Sequence, residues 1–457
     1  MVQNAHAFGI PQITYMSKFS RLDDTKMNRM RMNAFKSDLN SVSVSLISNL
    51  AVAILFLTTH LASPAQDLDI HSVTYATRGN PTSAVFTRDG RFVFVSVTNV
   101  DQPDFPGPDS AAGSRTDAVS GVEVFRRDVA THKVSSVGFV RTGSTGANGL
   151  VLLPQERTLA IGVGDEGVAF LDVRDLEHGK GTPRFAHQTP GAGTFDVVAT
   201  PDGRYVFSSN EYGIVAGQRG SVGVISTGID QKGRVRAPHT LGQIPTGDVV
   251  PSLALSPDGS RLYVASELVP QSQSFAIAGS KNPLLSKNDC VQKQGSPARP
   301  NGYISVVDVQ RAFAIKPDSI LARVASGCSP VRIVEAADAS RLYVSARGDN
   351  SILEFDPQRL ENDSEHSLLR SFASGGTAPV GMRLFMGDRF LAVANSNRFA
   401  EGNGNLAIHK LDSNTDPEPH QIAAGGFPRN LSLSADGSTL YLTNYKSRTL
   451  QVLKLSH

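Results

Sequence analysis

Residues 256–267 read SPDGSRLYVASE, and the reading of this stretch decides the fold. A tight-turn dipeptide, Asp258-Gly259, stands between two apolar runs, LALS before it and RLYVAS after it, which is the signature of a β-hairpin. The same hairpin returns as TRDGRFVFVSV at 87–97, TPDGRYVFSSN at 200–210 and SADGSTLYLTN at 434–444. Three degenerate copies, LLPQERTLAIGV, EAADASRLYVSA and LFMGDRFLAVAN, bring the set to seven, anchored on Asp89, Glu156, Asp202, Asp258, Asp338, Gly387 and Asp436. Four copies carry proline eight residues before the anchor: Pro81, Pro330, Pro379 and Pro428. Each hairpin is followed by a third strand, such as GVEVFRR or SILEFDP, and usually by a weaker fourth, such as KVSSVGFV. Four antiparallel strands recurring at roughly 45–80 residues predict the blades of an all-β, seven-bladed propeller. The alternating segment DIHSVTYAT at 69–77 precedes the first copy, and the last copy stops at its third strand. That segment is therefore expected to complete the last blade and close the ring, removing an open sheet edge.

The repeat pattern PxxLxLSPDGxxLYVxN resembles the YVTN-type seven-bladed propellers, a group that includes YncE-like secreted propellers and the lactonase family with its 6-phosphogluconolactonases. The resemblance covers nearly everything from about residue 67 onward and implies the fold; the scaffold hosts many activities, so it does not by itself imply one.

The chain has 457 residues, a formal net charge of +2 and no Trp. Near-balanced charge and the lack of a basic stripe argue against a nucleic-acid partner. Residues 50–57 read LAVAILFL, with Lys36 upstream and a small-residue site, Ser63-Pro64-Ala65, before Gln66. This pattern predicts a secretory signal peptide. A membrane span needs about 20 apolar residues, and Ser48, Asn49, Thr58, Thr59 and His60 interrupt this run. The expected division is an N-terminal extension with signal peptide over 1–66 and a propeller over 67–457. The expected location is secreted, or periplasmic or otherwise in the cell envelope, with membrane contact only through an uncleaved signal segment. The two cysteines, Cys290 and Cys328, are then expected to form a disulfide.

In a propeller, the starts of the innermost strands and the ends of the second strands share one face. Two positions can be read around it. Two residues past the proline position stand Ser83, Leu150, Asp196, Ser252, Arg332, Gly381 and Asn430, with Arg429 one residue earlier in the last blade. Nine residues past the anchor stand Thr98, Asp165, Glu211, Glu267, Arg347, Ser396 and Tyr445. The expected ligand-contacting set is Asp165, Asp196, Glu211, Ser252, Glu267, Arg332, Arg347, Arg429 and Asn430. It forms a mouth acidic over blades two to four and basic over blades five to seven, able to orient a small polar ligand. The competing reading is that these charges pair across blades. Long insertions at about 100–120, 268–301 and 397–405 fall on the same face, where function collects. Asn210, Asn395 and Asn444, each one residue before the second position, read as turn formers.

The last blade resembles the closing blade of lactonase-family propellers, whose Pro-Arg-Asn motif is matched by Pro428, Arg429 and Asn430. A second family motif is matched in part by Glu267 and Leu268. Its Pro-Arg-His half is not matched, since Val250, Pro251 and Ser252 stand there, and Thr194, Phe195 and Asp196 replace the His-rich opening of the preceding blade. The resemblance implies Glu267 as base and Arg429 or Arg332 as oxyanion partner, but no histidine carries the proton. Scattered histidines argue against a metal centre, and the absence of Trp, GxSxG, phosphate-loop and CxxCH motifs leaves no cofactor expected. The sequence thus reads as a monomeric exported binding protein for a small polar molecule or a protein or envelope component. A lactonase-like hydrolase with a modified site is the alternative.

Overall fold

The computed structural model describes residues 69–100, 119–143, 146–188, 192–211, 220–247, 249–267, 302–398, 400–411 and 418–456. Among them lie seven four-stranded antiparallel sheets. The first six take their strands in chain order. The seventh orders Asp69–Ala76, Thr449–Ser456, Thr439–Asn444 and Pro428–Leu433, so the expected closing strand is in place. It runs antiparallel to the last strand over a continuous register from Asp69↔Ser456 to Ala76↔Thr449. The signal segment and the insertions 101–118 and 268–301 lie outside the described residues.

The innermost strands are Asn80–Phe86, Leu150–Leu152, Thr194–Ala199, Ser252–Leu255, Pro330–Glu335, Pro379–Phe385 and Pro428–Leu433. Each approaches the innermost strand of the next blade, and the seventh meets the first, so the wheel is closed. The core is divided among the blade interfaces. Tyr263, Ile304 and Val306 of blade four, for example, pack on Ile333, Val344 and Phe355 of blade five, and corresponding clusters fill the other six interfaces. Both faces of each sheet are therefore apolar, which is why the second and third strands read as continuous rather than alternating hydrophobic runs.

The hairpin turns are built alike. In blade four the Asp258 carboxylate accepts hydrogen bonds from the Ser256 hydroxyl (2.6 Å) and the Ser260 amide (3.0 Å), and Gly259 takes φ +71°. Asp89, Asp202 and Asp436 repeat the pattern with Thr87, Thr200 and Ser434. Blade two departs from the alignment. Its strands pair Leu150↔Ile161 and Leu152↔Leu159, which sets the turn on Gln155-Glu156, with Glu156 at φ +51° in the place of glycine. The anchor there is Gln155, one residue before the expected Glu156. The blade-two counterparts of the mouth positions are accordingly Gly149 and Gly164, not Leu150 and Asp165.

Candidate functional site

The face opposite the hairpin turns opens into a cavity of about 480 Å³ at the mouth of the central channel. Its apolar wall is Phe195, Pro251, Val331, Val380 and Phe427. Its polar lining is Glu211, Glu267, Arg332, Arg347, Arg398, Arg429, Tyr445 and Lys446. Each side chain is placed by the blade geometry. Phe195, Arg332 and Arg429 leave the beginnings of innermost strands, at bulges where the register shifts. Glu211, Glu267, Arg347 and Tyr445 follow the last residues of second strands, and their amides donate to Gly193, Val249, Ser329 and Phe427 just ahead of those innermost strands.

Two ion pairs cross the funnel. Arg332 donates from Nη1 to Asp196 Oδ2 at 3.0 Å, joining blades five and three, and Arg347 donates from Nη2 to Glu267 Oε2 at 2.6 Å, joining blades five and four. All four side chains are nearly buried. Burial raises the Asp196 carboxyl, opposed by Arg332, by the amides of Val197 and Leu253 and by the neighbouring Ser252 hydroxyl. Burial likewise lowers Arg347, opposed by Glu267. Pairing of acids with arginines across blades is thus the arrangement for these four residues.

Arg429 is held differently. Its guanidinium lies 4.9 Å from the Phe195 ring centroid and 5.1 Å from that of Tyr445, between two aromatic faces. Phe427 meets Tyr445 edge-on at 5.6 Å and braces the ring. Part of the Arg429 surface still faces the funnel, but protein surrounds it. Burial pushes its guanidinium down to about 10; Arg332 and Arg398 push the same way, against Tyr445 and Glu211. Arg332 and Arg429 also line a small hollow that continues along the innermost strands past Asp196 and Asn430.

Of the nine residues expected at the mouth, the structure brings Glu211, Glu267, Arg332, Arg347 and Arg429 to the cavity and Asp196 and Asn430 to the hollow. Ser252 is fully buried behind Asp196. Asp165 lines neither space and is exposed on its turn, as the one-residue shift in blade two requires. The acidic sector is accordingly narrower than expected, and five cationic side chains face two carboxylates in the cavity. Sequence reasoning missed Arg398, which sits in the 397–405 loop with no repeat position to mark it. It also passed over Phe195 and Tyr445, which do occupy mouth positions. The three asparagines are buried and bond to neighbouring strands and connections rather than forming turns of their own. Asn210 donates to Ser221, Asn395 to the Ser374 carbonyl, and Asn444 accepts from Gly425. Cys328 is buried beside this face, whereas Cys290 lies outside the described residues.

No protein-family profile matches the chain, and no curated protein matches it. Solved structures do. A chain of hydrazine synthase from Kuenenia stuttgartiensis is 15% identical, with a TM-score of 0.53 over 84% of this chain and 97% of the other. A chain of the mitotic checkpoint complex is 12% identical, with a TM-score of 0.55 over 84% and 94%. The β-propeller domain of Cps50 (Swd1) from Myceliophteria thermophila is 11% identical, with a TM-score of 0.54 over 85% and 100%. At these identities the likeness is one of fold: the chain is a seven-bladed β-propeller.

Proposed function

We propose that this protein is an exported propeller of the YVTN type that binds a small polar ligand at the mouth of its central channel. The observation that carries the reading is the preformed cavity of about 480 Å³, in which an apolar wall faces a cationic lining. A concave cavity of that size, with polar groups converging opposite an apolar wall, suits a small ligand. Hydrolysis is the weaker reading. Arg347 is committed to one oxygen of Glu267 at 2.6 Å, and no histidine stands among the residues lining the cavity to carry the proton. Arg332 is likewise committed to Asp196. Because propellers of this fold occur in assemblies such as the mitotic checkpoint complex, a protein or envelope component reaching the same face is compatible with the reading.

The YVTN assignment rests on the seven-fold hairpin motif, and export on the apolar run at 50–57 with its small-residue site at 63–65. Export also supports a Cys290–Cys328 bridge. Intact-mass measurement without reductant is expected to show the chain 2 Da lighter than after reduction, the loss of two hydrogens on forming one bond; two free thiols remove the bridge.

The deciding experiment pairs a thermal-shift screen of the protein against small polar compounds with a lactone-hydrolysis assay. Binding that is lost in Arg429→Met, with no lactone turnover, is expected. Turnover abolished by Glu267→Gln overturns the binding-only reading in favour of the hydrolase.

A further inference from the structure

The charges in the funnel are not equivalent. Arg332 and Arg347 each have a carboxylate at hydrogen-bond distance. Arg429, among the described residues, has no hydrogen bond or ion pair to its side chain. Its contacts are the ring faces of Phe195 and Tyr445, and Glu211 acts on it only at longer range. Contacts of this kind leave the N–H groups of a guanidinium without acceptors. A cation so enclosed, with no anion at hydrogen-bond distance, is desolvated at a cost that a ligand's negative charge would offset.

The shape of the remaining wall narrows the ligand further. Phe195, Pro251, Val331, Val380 and Phe427 offer no side-chain hydrogen-bonding group. A polyhydroxylated body, such as a sugar, would lose its water against this wall and find no replacement partner on that side. A flat or ring-shaped apolar body would fill the space and remove apolar surface from water. At the head, one uncommitted deep guanidinium matches a single negative charge in a planar, bidentate group, which is a carboxylate. A phosphate monoester, with nearly two charges, would ask for a second such cation at that depth.

Building on the binding role proposed above, we infer that the cavity takes a small aromatic or alicyclic carboxylate, its carboxylate on the N–H edge of Arg429 and its ring against the apolar wall. Arg398 and Lys446 at the rim add attraction for anions during approach.

The test is calorimetric titration of the full chain with benzoate, cyclohexanecarboxylate, benzamide and glucose 6-phosphate. Both carboxylates are expected to bind, and benzamide, which keeps the ring but lacks the charge, at least about tenfold more weakly. Arg429→Met is expected to weaken the carboxylates at least about tenfold, with Arg429→Lys intermediate because it keeps the charge and loses the fork. Should Arg429→Met fail to fold, Arg429→Lys and Phe195→Leu carry the test, each weakening the carboxylates. Benzamide binding as well as benzoate, or glucose 6-phosphate binding more tightly than either carboxylate with dependence on Arg429, overturns the ligand class while leaving a binding funnel. No binding by any of these probes, or binding indifferent to all three substitutions, overturns the funnel as well.

Discussion

Arg347 and Glu267 meet at 2.6 Å with side chains 11% and 10% exposed, so neither charge can fall back on bulk water. Removing one partner of such a pair strands the other. The residual exposure of both side chains softens the penalty, and Glu267→Ala is expected to lower unfolding free energy by about 2 kcal/mol. In a double-mutant cycle with Arg347→Met, denaturant unfolding should show a coupling of about 1–2 kcal/mol; strict additivity would mean the pair does not act as one. A second, half-buried acid has the opposite character. Glu335, between blades four and five, accepts only from the Tyr263 hydroxyl at 3.4 Å, and its other oxygen is buried without a partner among the described residues. Burial pushes its carboxyl up to about 7; the Tyr263 hydrogen bond opposes this, and the charge of Asp258 adds to it. Because the folded value lies above the model-peptide value of about 4.5, the protonated form favours the fold. Its stabilising effect is complete below pH 4.5 and is lost as pH rises through 7. Glu335→Gln is expected to flatten this part of the pH–stability profile and to be more stable than the parent at pH 8. An unchanged slope between pH 5 and 8 would place the titration elsewhere.

The hairpin turn is the element from which the whole fold can be read, because its chemistry is local. A carboxylate two residues after a Ser or Thr closes the turn, and the next residue must take positive φ, which favours glycine. Where the dipeptide is present, the alignment on Asp89, Asp202, Asp258 and Asp436 agrees with the observed pairing. Where it is absent, in PQER, hydrophobic pattern alone leaves the register open by one residue. One residue exchanges the two faces of a strand, and this is why Asp165 was expected at the mouth and Gly164 holds the position. Blade-level repetition likewise makes Glu211, Glu267, Arg332 and Arg347 legible. It is silent about which charges pair, since Asp196 and Arg332 are 136 residues apart, and about Arg398, which the repeat does not contain. Ala339 occupies the glycine place of blade five at φ +55°, where a Cβ is strained, so Ala339→Gly should stabilise by about 0.5–1 kcal/mol. Gly259→Ala, at φ +71° and with the new Cβ 3.0 Å from the Pro201 ring, should destabilise by about 1–2 kcal/mol. Opposite shifts in thermal midpoint, the larger for Gly259→Ala, would check both; a destabilised Ala339→Gly would show that backbone entropy outweighs strain there.

At the scale of the molecule the wheel depends on a strand from the far end of the chain. The funnel is rigid only if seven blades press on one another around the ring, and blade seven owes its outer edge to Asp69–Ala76. That strand does more than pair. Ile70 packs on the cluster between blades six and seven, and Tyr75 on the cluster between blades seven and one, so it seals both interfaces of the closing blade. Without it, the Thr449–Ser456 edge would present unpaired amides and carbonyls, a template for association. The proposed cleavage before Gln66 has a mechanical consequence here, since it leaves the closing strand whole with a short lead, whereas a cut beyond Thr77 would remove it. The exported protein is therefore expected to begin at or near Gln66 by N-terminal sequencing. A chain starting at Arg78 should lose about 1–3 kcal/mol relative to one starting at Gln66, from the lost burial of the half-buried Ile70 and Tyr75, and should self-associate in sedimentation. The loss should reach the site: blade seven supplies Phe427, Arg429 and Tyr445, so loosening it spreads the two rings that hold the Arg429 guanidinium and should weaken ligand binding as well as stability. A shorter chain that unfolds at the same midpoint and stays monomeric would show that the blade stands on three strands, and that closure by the first strand is not what fixes the funnel.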